Sequence, residues 1–156
     1  MIAVLQRAES AAVRVEGKVT GEIGHGLLIL LGISREDTER DAALLAAKIA
    51  KCRIFEDAAG KMNLSLLDVG GGALVVSNFT LLADYHHGNR PNFFPAAAPA
   101  EAEALYEHFT ALLRREGVSR VETGVFGAEM KIALAADGPV TIVMDSNVLK
   151  PKEKTV

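Results

Sequence analysis

A chain of 156 residues, 49% of them hydrophobic, fits one domain over 1–156, and a domain of this size buries roughly 70% of the surface its unfolded chain exposes. Seventeen basic against twenty acidic residues leave a net charge of −3. That balance excludes a protein that coats nucleic acid and argues against DNA as a partner, but it permits one that grips a single end of an RNA. The lone Cys52 excludes an internal disulfide and a cysteine-built zinc site, so a reducing cytoplasm is the expected compartment. Arg7 and Glu9 cut the N-terminal apolar stretch short of a signal-peptide core. No apolar run, Gly26 to Ile33 included, approaches the ~20 residues that span a membrane.

In chain order, Val13-Arg14-Val15 and Lys18-Val19-Thr20 read as two strands joined by a tight hairpin at Glu16-Gly17. Gly26 to Ile33 is a continuous apolar run, as in a strand buried on both faces. Ser34 is the expected cap of a helix from about Thr38 to Lys51, with Glu36 and Asp37 favouring the positive end of the helix dipole. Leu44, Leu45, Lys48, Ile49 and Cys52 follow its helical spacing. Gly60 and Gly70 to Gly72 punctuate a loop-rich middle. Ala73 to Val76 restarts a strand that runs into Ser77-Asn78-Phe79-Thr80-Leu81, and Asp84 to Phe94 reads as an ordered surface loop.

Pro99 opens a second helix to about Glu116, closed by Gly117, with Leu105, Phe109, Leu112 and Leu113 facing inward. Strands are expected over 121–126, 130–134 and 140–144, the last two separated by Gly138-Pro139. This order predicts an α+β fold: a curved, mostly antiparallel, barrel-like sheet with two main helices packed outside it.

The usual catalytic constellations are missing: no G-x-S-x-G elbow, no glycine-rich phosphate loop and no H-E-x-x-H. His86 and His87 are adjacent, so in an extended loop they point apart and do not share a metal; solvated histidines or weak phosphate contacts are the plainer readings. Ser77-Asn78-Phe79-Thr80 sets hydroxyl and amide groups at the end of an apolar strand, where they either satisfy local backbone or face a pocket. Thr80 as a nucleophile would need a base, and its neighbours supply none. Ala136-Asp137-Gly138-Pro139-Val140-Thr141 has the composition of a hairpin turn, and the isomer of its Gly-Pro bond is left open.

These two segments resemble the S-Q-F-T-L and N-x-G-P-V-T motifs of the bacterial-type D-aminoacyl-tRNA deacylases. The likeness extends through Ile2 to Arg7, Gly24 to Leu28, Lys61 to Leu64, Gly88 to Pro91, Ala104 to Tyr106 and Thr123 to Met130. Two departures fall within the motifs: Asn78 stands where that family usually has glutamine, and Ala136 where it usually has asparagine. The resemblance implies a homodimer that removes D-amino acids, and glycine mischarged on the alanine tRNA, from the 3′ end of aminoacyl-tRNA. This is chiral proofreading in translation, a carboxylic ester hydrolysis needing no metal or organic cofactor.

By that resemblance, a cis Gly138-Pro139 pair from one subunit enters the other's pocket and excludes L side chains. Phe79 offers its N–H to the ester carbonyl, Ser77, Asn78 and Thr80 line the pocket, and the ribose 2′-OH of the substrate assists attack. Met130 packs near the adenine or the Gly-Pro segment, or simply fills core. Arg7, Arg90 and Lys131 are either RNA or dimer contacts or plain surface charges. Two alternatives stay open: an RNA-end binder in which Asn78 and Ala136 have disabled hydrolysis, and a deacylase of relaxed chirality acting on L-alanyl-tRNA.

Overall fold

The computed structural model describes residues 1–152; residues 153–156 of the expected domain lie outside the described residues. Strand β1 (Ile2–Val15) is the spine of the sheet. Its first half alternates, burying Met1, Ala3, Leu5 and Arg7 with less buried residues between them, the period of a pleated strand with one face on the core. Glu16 (φ 50°) and Gly17 (φ 78°) turn the chain as the two-residue hairpin requires. Strand β2 (Lys18–Ile23) then returns antiparallel along residues 11–15, and β3 (Gly26–Gly32) continues along residues 2–8 of the same edge. The apolar run of β3 is buried almost throughout, as expected.

Helix α1 (Glu39–Lys51) covers the expected span, but its cap is not Ser34. Thr38 is its cap, because the Asp41 carboxylate reaches back to the Thr38 N–H (2.9 Å) and completes a capping box. Asp37 instead accepts from the Ser34 N–H and from the Met1 ammonium. The buried face of α1 is Ala42, Leu45, Ala46, Ile49 and Ala50, while Leu44 and Cys52 are half-buried at its flank. The loop-rich middle contains a short hairpin, β4 (Phe55–Glu56) and β5 (Met62–Leu64), and one helical turn, α2 (Leu66–Val69). Their brevity hid them from any periodicity.

Strand β6 (Gly72–Ser77) lies parallel to β3, and β7 (Val121–Thr123) parallel to β6. Helix α3 (Pro99–Arg115) starts at Pro99 as expected and, past its cap Glu116, is closed by Gly117, whose φ of 107° suits glycine. It buries Tyr106, Phe109, Thr110 and Leu113, with Leu105 and Leu112 half-buried beside them. The Tyr106 hydroxyl donates to the Val75 carbonyl at 2.8 Å, tying α3 to β6, and burial pushes its pKa up to about 12. α1 and α3 thus cover the outside of a nearly closed, barrel-like sheet, an α+β fold with antiparallel ladders in the majority. Where β2 meets β7, a side chain at Gly21 would collide with the Thr123 carbonyl, so the closure depends on glycine there.

The last strands differ from expectation. The first is short, β7 ending at Thr123, and the other two are one strand, β8 (Lys131–Asp145). β8 pairs antiparallel with β1 along its free edge, from Arg14↔Lys131 to Ile2↔Asp145. Gly138-Pro139 is therefore no hairpin turn. Gln6 faces Thr141 and Ala8 faces Ala136, so the residues between 136 and 141 bulge out of a strand that keeps its direction. β1 is long enough to pair both halves, and that overrides the turn chemistry. After β8 comes one turn, α4 (Ser146–Leu149). The Ser146 hydroxyl (2.6 Å) and the Lys150 ammonium (2.7 Å) meet the buried Asp41 carboxylate.

Candidate active site

Strand β6 ends where Ser77 pairs with Leu31 and the Asn78 N–H donates to the Leu31 carbonyl at 2.8 Å. The chain then leaves the sheet in a 3-10 turn, Phe79–Leu82. This lifts Phe79 to the surface, 59% exposed, where its ring meets Phe93 edge-on at 5.1 Å. Residues 95–97 add to the end of β3, with the Ala97 N–H on the Ile33 carbonyl (2.9 Å) and the Arg35 N–H on the Pro95 carbonyl (3.0 Å). That contact brings the first turn of α3 over the strand ends.

Between these elements and the segment Phe126–Met130 lies a cavity of about 780 Å³. It lies at the carboxyl ends of two parallel strands, a recurrent place for ligands, and has the volume of a small-molecule pocket.

The polar groups of this cavity are few. Ser77 and Asn78 are half-buried at its wall, and Thr80, next along the turn, is exposed. The Thr80 hydroxyl donates to the Asn78 side-chain oxygen at 2.6 Å, so it serves the turn and no base is set to activate it. Among the described residues the Phe79 N–H donates to no backbone carbonyl; it is a free donor at the rim. The ionisable groups lining the cavity are Arg35 and Glu101, neither of which the sequence singled out. Arg35 follows a strand end and Glu101 sits in a helix first turn, ordinary places for charge, and only the fold brings them to the pocket.

Neither Gly138 nor Pro139 lines that cavity. The Gly138–Pro139 peptide bond is cis and Gly138 has φ 127°, and both residues are exposed on the bulge of β8. Its base is held from the opposite strand. Arg7 donates through Nε to the Asp137 carbonyl (3.2 Å), and the same nitrogen lies 3.1 Å from the Asp137 carboxylate. Nη1 of Arg7 donates to the Ile54 carbonyl at 2.8 Å. Arg7 is only 4% exposed, so the reading of it as a plain surface charge is corrected: its Nε and Nη1 bond groups inside the molecule. The signal was present, because Met1, Ala3, Leu5 and Arg7 share one parity of a strand and must face the same way.

Met130 serves two ends, packing against the cluster of Ala8, Val13 and Leu74 while lining the cavity. Arg90 is exposed on the 84–94 loop, and Lys131 is exposed with its ammonium 3.4 Å from Glu129. Among the described residues no group of histidine, cysteine and carboxylate side chains is placed to hold a metal. No helix among them is long and apolar enough to cross a membrane.

The family model of D-Tyr-tRNA(Tyr) deacylase matches residues 4–145. The chain is 59% identical over 149 residues to the D-aminoacyl-tRNA deacylase of Anaeromyxobacter dehalogenans, spanning 96% of this chain and 99% of that one. It is 61% identical over 145 residues to the enzyme of the same name from Dinoroseobacter shibae, spanning 93% and 99%. Among solved structures, the c-Myc DNA Unwinding Element Binding Protein superposes with a TM-score of 0.88 at 39% identity, covering 93% of this chain and 98% of the other. Likeness of this extent, with the family model spanning both motif segments, makes the chain a member of the D-Tyr-tRNA(Tyr) deacylase family of hydrolases.

Proposed function

We propose that the single domain 1–156 hydrolyses the ester of D-aminoacyl-tRNA, releasing D-amino acid and tRNA, in chiral proofreading of translation in the cytoplasm. The observation that carries this reading is the free Phe79 N–H at the rim of an apolar cavity without a base beside Thr80. Such a site stabilises charge developing on an ester oxygen and leaves deprotonation to the substrate. Water attacks the carbonyl carbon with the ribose 2′-OH assisting. The tetrahedral oxyanion is held by the Phe79 N–H, and its collapse expels the ribose hydroxyl.

Ser77, Asn78 and Met130 shape the pocket, and the reading calls for no metal or organic cofactor. Gly138 and Pro139 are exposed and lie outside their own chain's cavity, so they reach a substrate only in a partner's. A symmetric homodimer supplies that arrangement. In it, the Gly138 and Pro139 carbonyls hold the substrate amino group and leave no space for an L side chain, whereas glycine, lacking one, enters. The test is ester loss from D-tyrosyl-, L-tyrosyl- and glycyl-tRNA: loss from the first and third with the second spared supports the reading, and no turnover on any rejects it.

A further inference from the structure

Between the 3-10 turn and α3 the chain makes an excursion, Asp84 to Phe94, whose two roots both lie at the cavity. Phe79 precedes it and Phe93 returns from it, and the two rings touch. Its base is closed by paired backbone bonds between Asp84 and Asn92 (2.8 and 2.9 Å). The Asp84 carboxylate accepts from the His86 N–H at 3.1 Å and faces His86 Nδ1 at 2.7 Å; the Asn92 side-chain oxygen accepts from the Phe94 N–H. The loop is thus built, and what it presents to solvent follows from that frame. Tyr85 is 78% exposed with its ring stacked on His86, at an interplanar angle of 16°. His87 and Arg90, further along the same loop, are exposed.

From Tyr85 to Ala100 there is no carboxylate, in a chain whose net charge is −3. An ordered, exposed ring in a loop that carries the cation Arg90, and whose one carboxylate, Asp84, is engaged by His86 within the loop, suits an unpaired nucleotide, whose base stacks on the ring while its phosphate meets the cation. A membrane surface would call for a larger cationic cluster.

We propose that the loop Asp84–Phe94 clamps the single-stranded 3′ end of the RNA, with Tyr85 stacking an unpaired base upstream of the terminal adenosine and Arg90 contacting a phosphate. The identity of the RNA rests on the deacylase reading above, while the clamp itself rests on the loop. The test uses the full chain and uncharged tRNA, either intact or trimmed of its unpaired 3′ nucleotides, with affinity read by fluorescence anisotropy.

Tyr85→Ala is expected to weaken intact tRNA on the order of tenfold, the scale of one lost base stack, with little change for trimmed tRNA; Tyr85→Phe restores affinity. Arg90→Gln is expected to lower the salt dependence of binding by about one unit of slope. On D-tyrosyl-tRNA, Tyr85→Ala raises KM in proportion and leaves kcat nearly unchanged. Equal affinity of Tyr85→Ala and the unmodified protein for intact tRNA overturns the clamp. So does a Tyr85→Ala protein that sediments differently, which would make the loop an interface between copies. A protein that binds RNA but never hydrolyses D-tyrosyl-tRNA defeats the deacylase reading and leaves the binding comparison decisive for the loop.

Discussion

Thr80 and Arg7 show how far a side chain's role follows from its partners. The Thr80 hydroxyl is bonded to Asn78 (2.6 Å) and has no base, so Thr80→Ala is expected to keep substantial activity. A fall of ~10⁴-fold, the scale of deleting a covalent nucleophile, would replace substrate assistance by a threonine mechanism. Removing the terminal 2′-OH of the tRNA is expected to be the severe change, read as single-turnover rate. Arg7→Met strips a buried guanidinium and leaves the Ile54 carbonyl without its donor. Losing charge-assisted hydrogen bonds of this kind costs about 1.5–3 kcal/mol, to be measured as a drop in the urea midpoint.

The strand end was legible in the sequence, since β6 does stop at Ser77, and Ser77, Asn78 and Phe79 line a cavity there while Thr80 does not. The anchor of the second motif was not recognised. Nothing local to residues 136–141 shows it: Asp137 is held by Arg7, far away in sequence on the neighbouring strand.

At the level of elements, the sequence revealed those with a long period and concealed those decided by pairing. α1 and α3 announce themselves through helical spacing, capping and Pro99, and β3 through its unbroken apolar run. The merging of two expected strands into β8 depends on β1, a partner more than a hundred residues earlier, and no local pattern around Gly138-Pro139 contains it. β8 leaves Val143 68% exposed and Ile132 40% exposed on an edge strand with one side unpaired, a feature that isolated proteins avoid and that a second copy would cover. In the proposed homodimer, Val143→Glu is therefore expected to raise the monomer fraction in sedimentation equilibrium, and an unchanged dimer would move the interface elsewhere.

α1, α4 and the end of β8 meet at Asp41. Burial there opposes its charge, yet Lys150, Ser146 and Thr38 hold the carboxyl well below the usual carboxylate range. The folded value is depressed, so this contribution is complete above the unfolded value near ~4 and fades as pH falls below it. Asp41→Asn is expected to flatten the acid limb of stability below about pH 4. Parallel acid limbs for the two proteins would contradict the assignment.

For the whole molecule, chirality is the property to measure. If rejection of L-amino acids is steric and made by backbone at Gly138-Pro139, discrimination is set by how firmly the bulge is held. Restoring an amide at Ala136 adds at most one hydrogen bond, worth about 0.5–1.5 kcal/mol, against roughly 3 kcal/mol for each hundredfold of selectivity. A strong preference for D-tyrosyl- over L-tyrosyl-tRNA is expected in the unmodified protein, and Ala136→Asn is expected to shift it only modestly. A ratio near one would favour relaxed chirality.

If, as proposed, the bulge completes the cavity of a partner subunit, its separation from its own chain's cavity has a genetic consequence. A subunit disabled at the pocket still carries a sound bulge, and one disabled at the bulge still carries a sound pocket. Two inactive proteins of these opposite kinds, unfolded together and allowed to reassociate, would form hybrids in which one of the two sites is whole. About a quarter of normal activity should then reappear from random pairing of equal amounts, whereas two variants damaged in the same element would stay silent. Alleles of the gene would fall into two classes that rescue each other and never themselves.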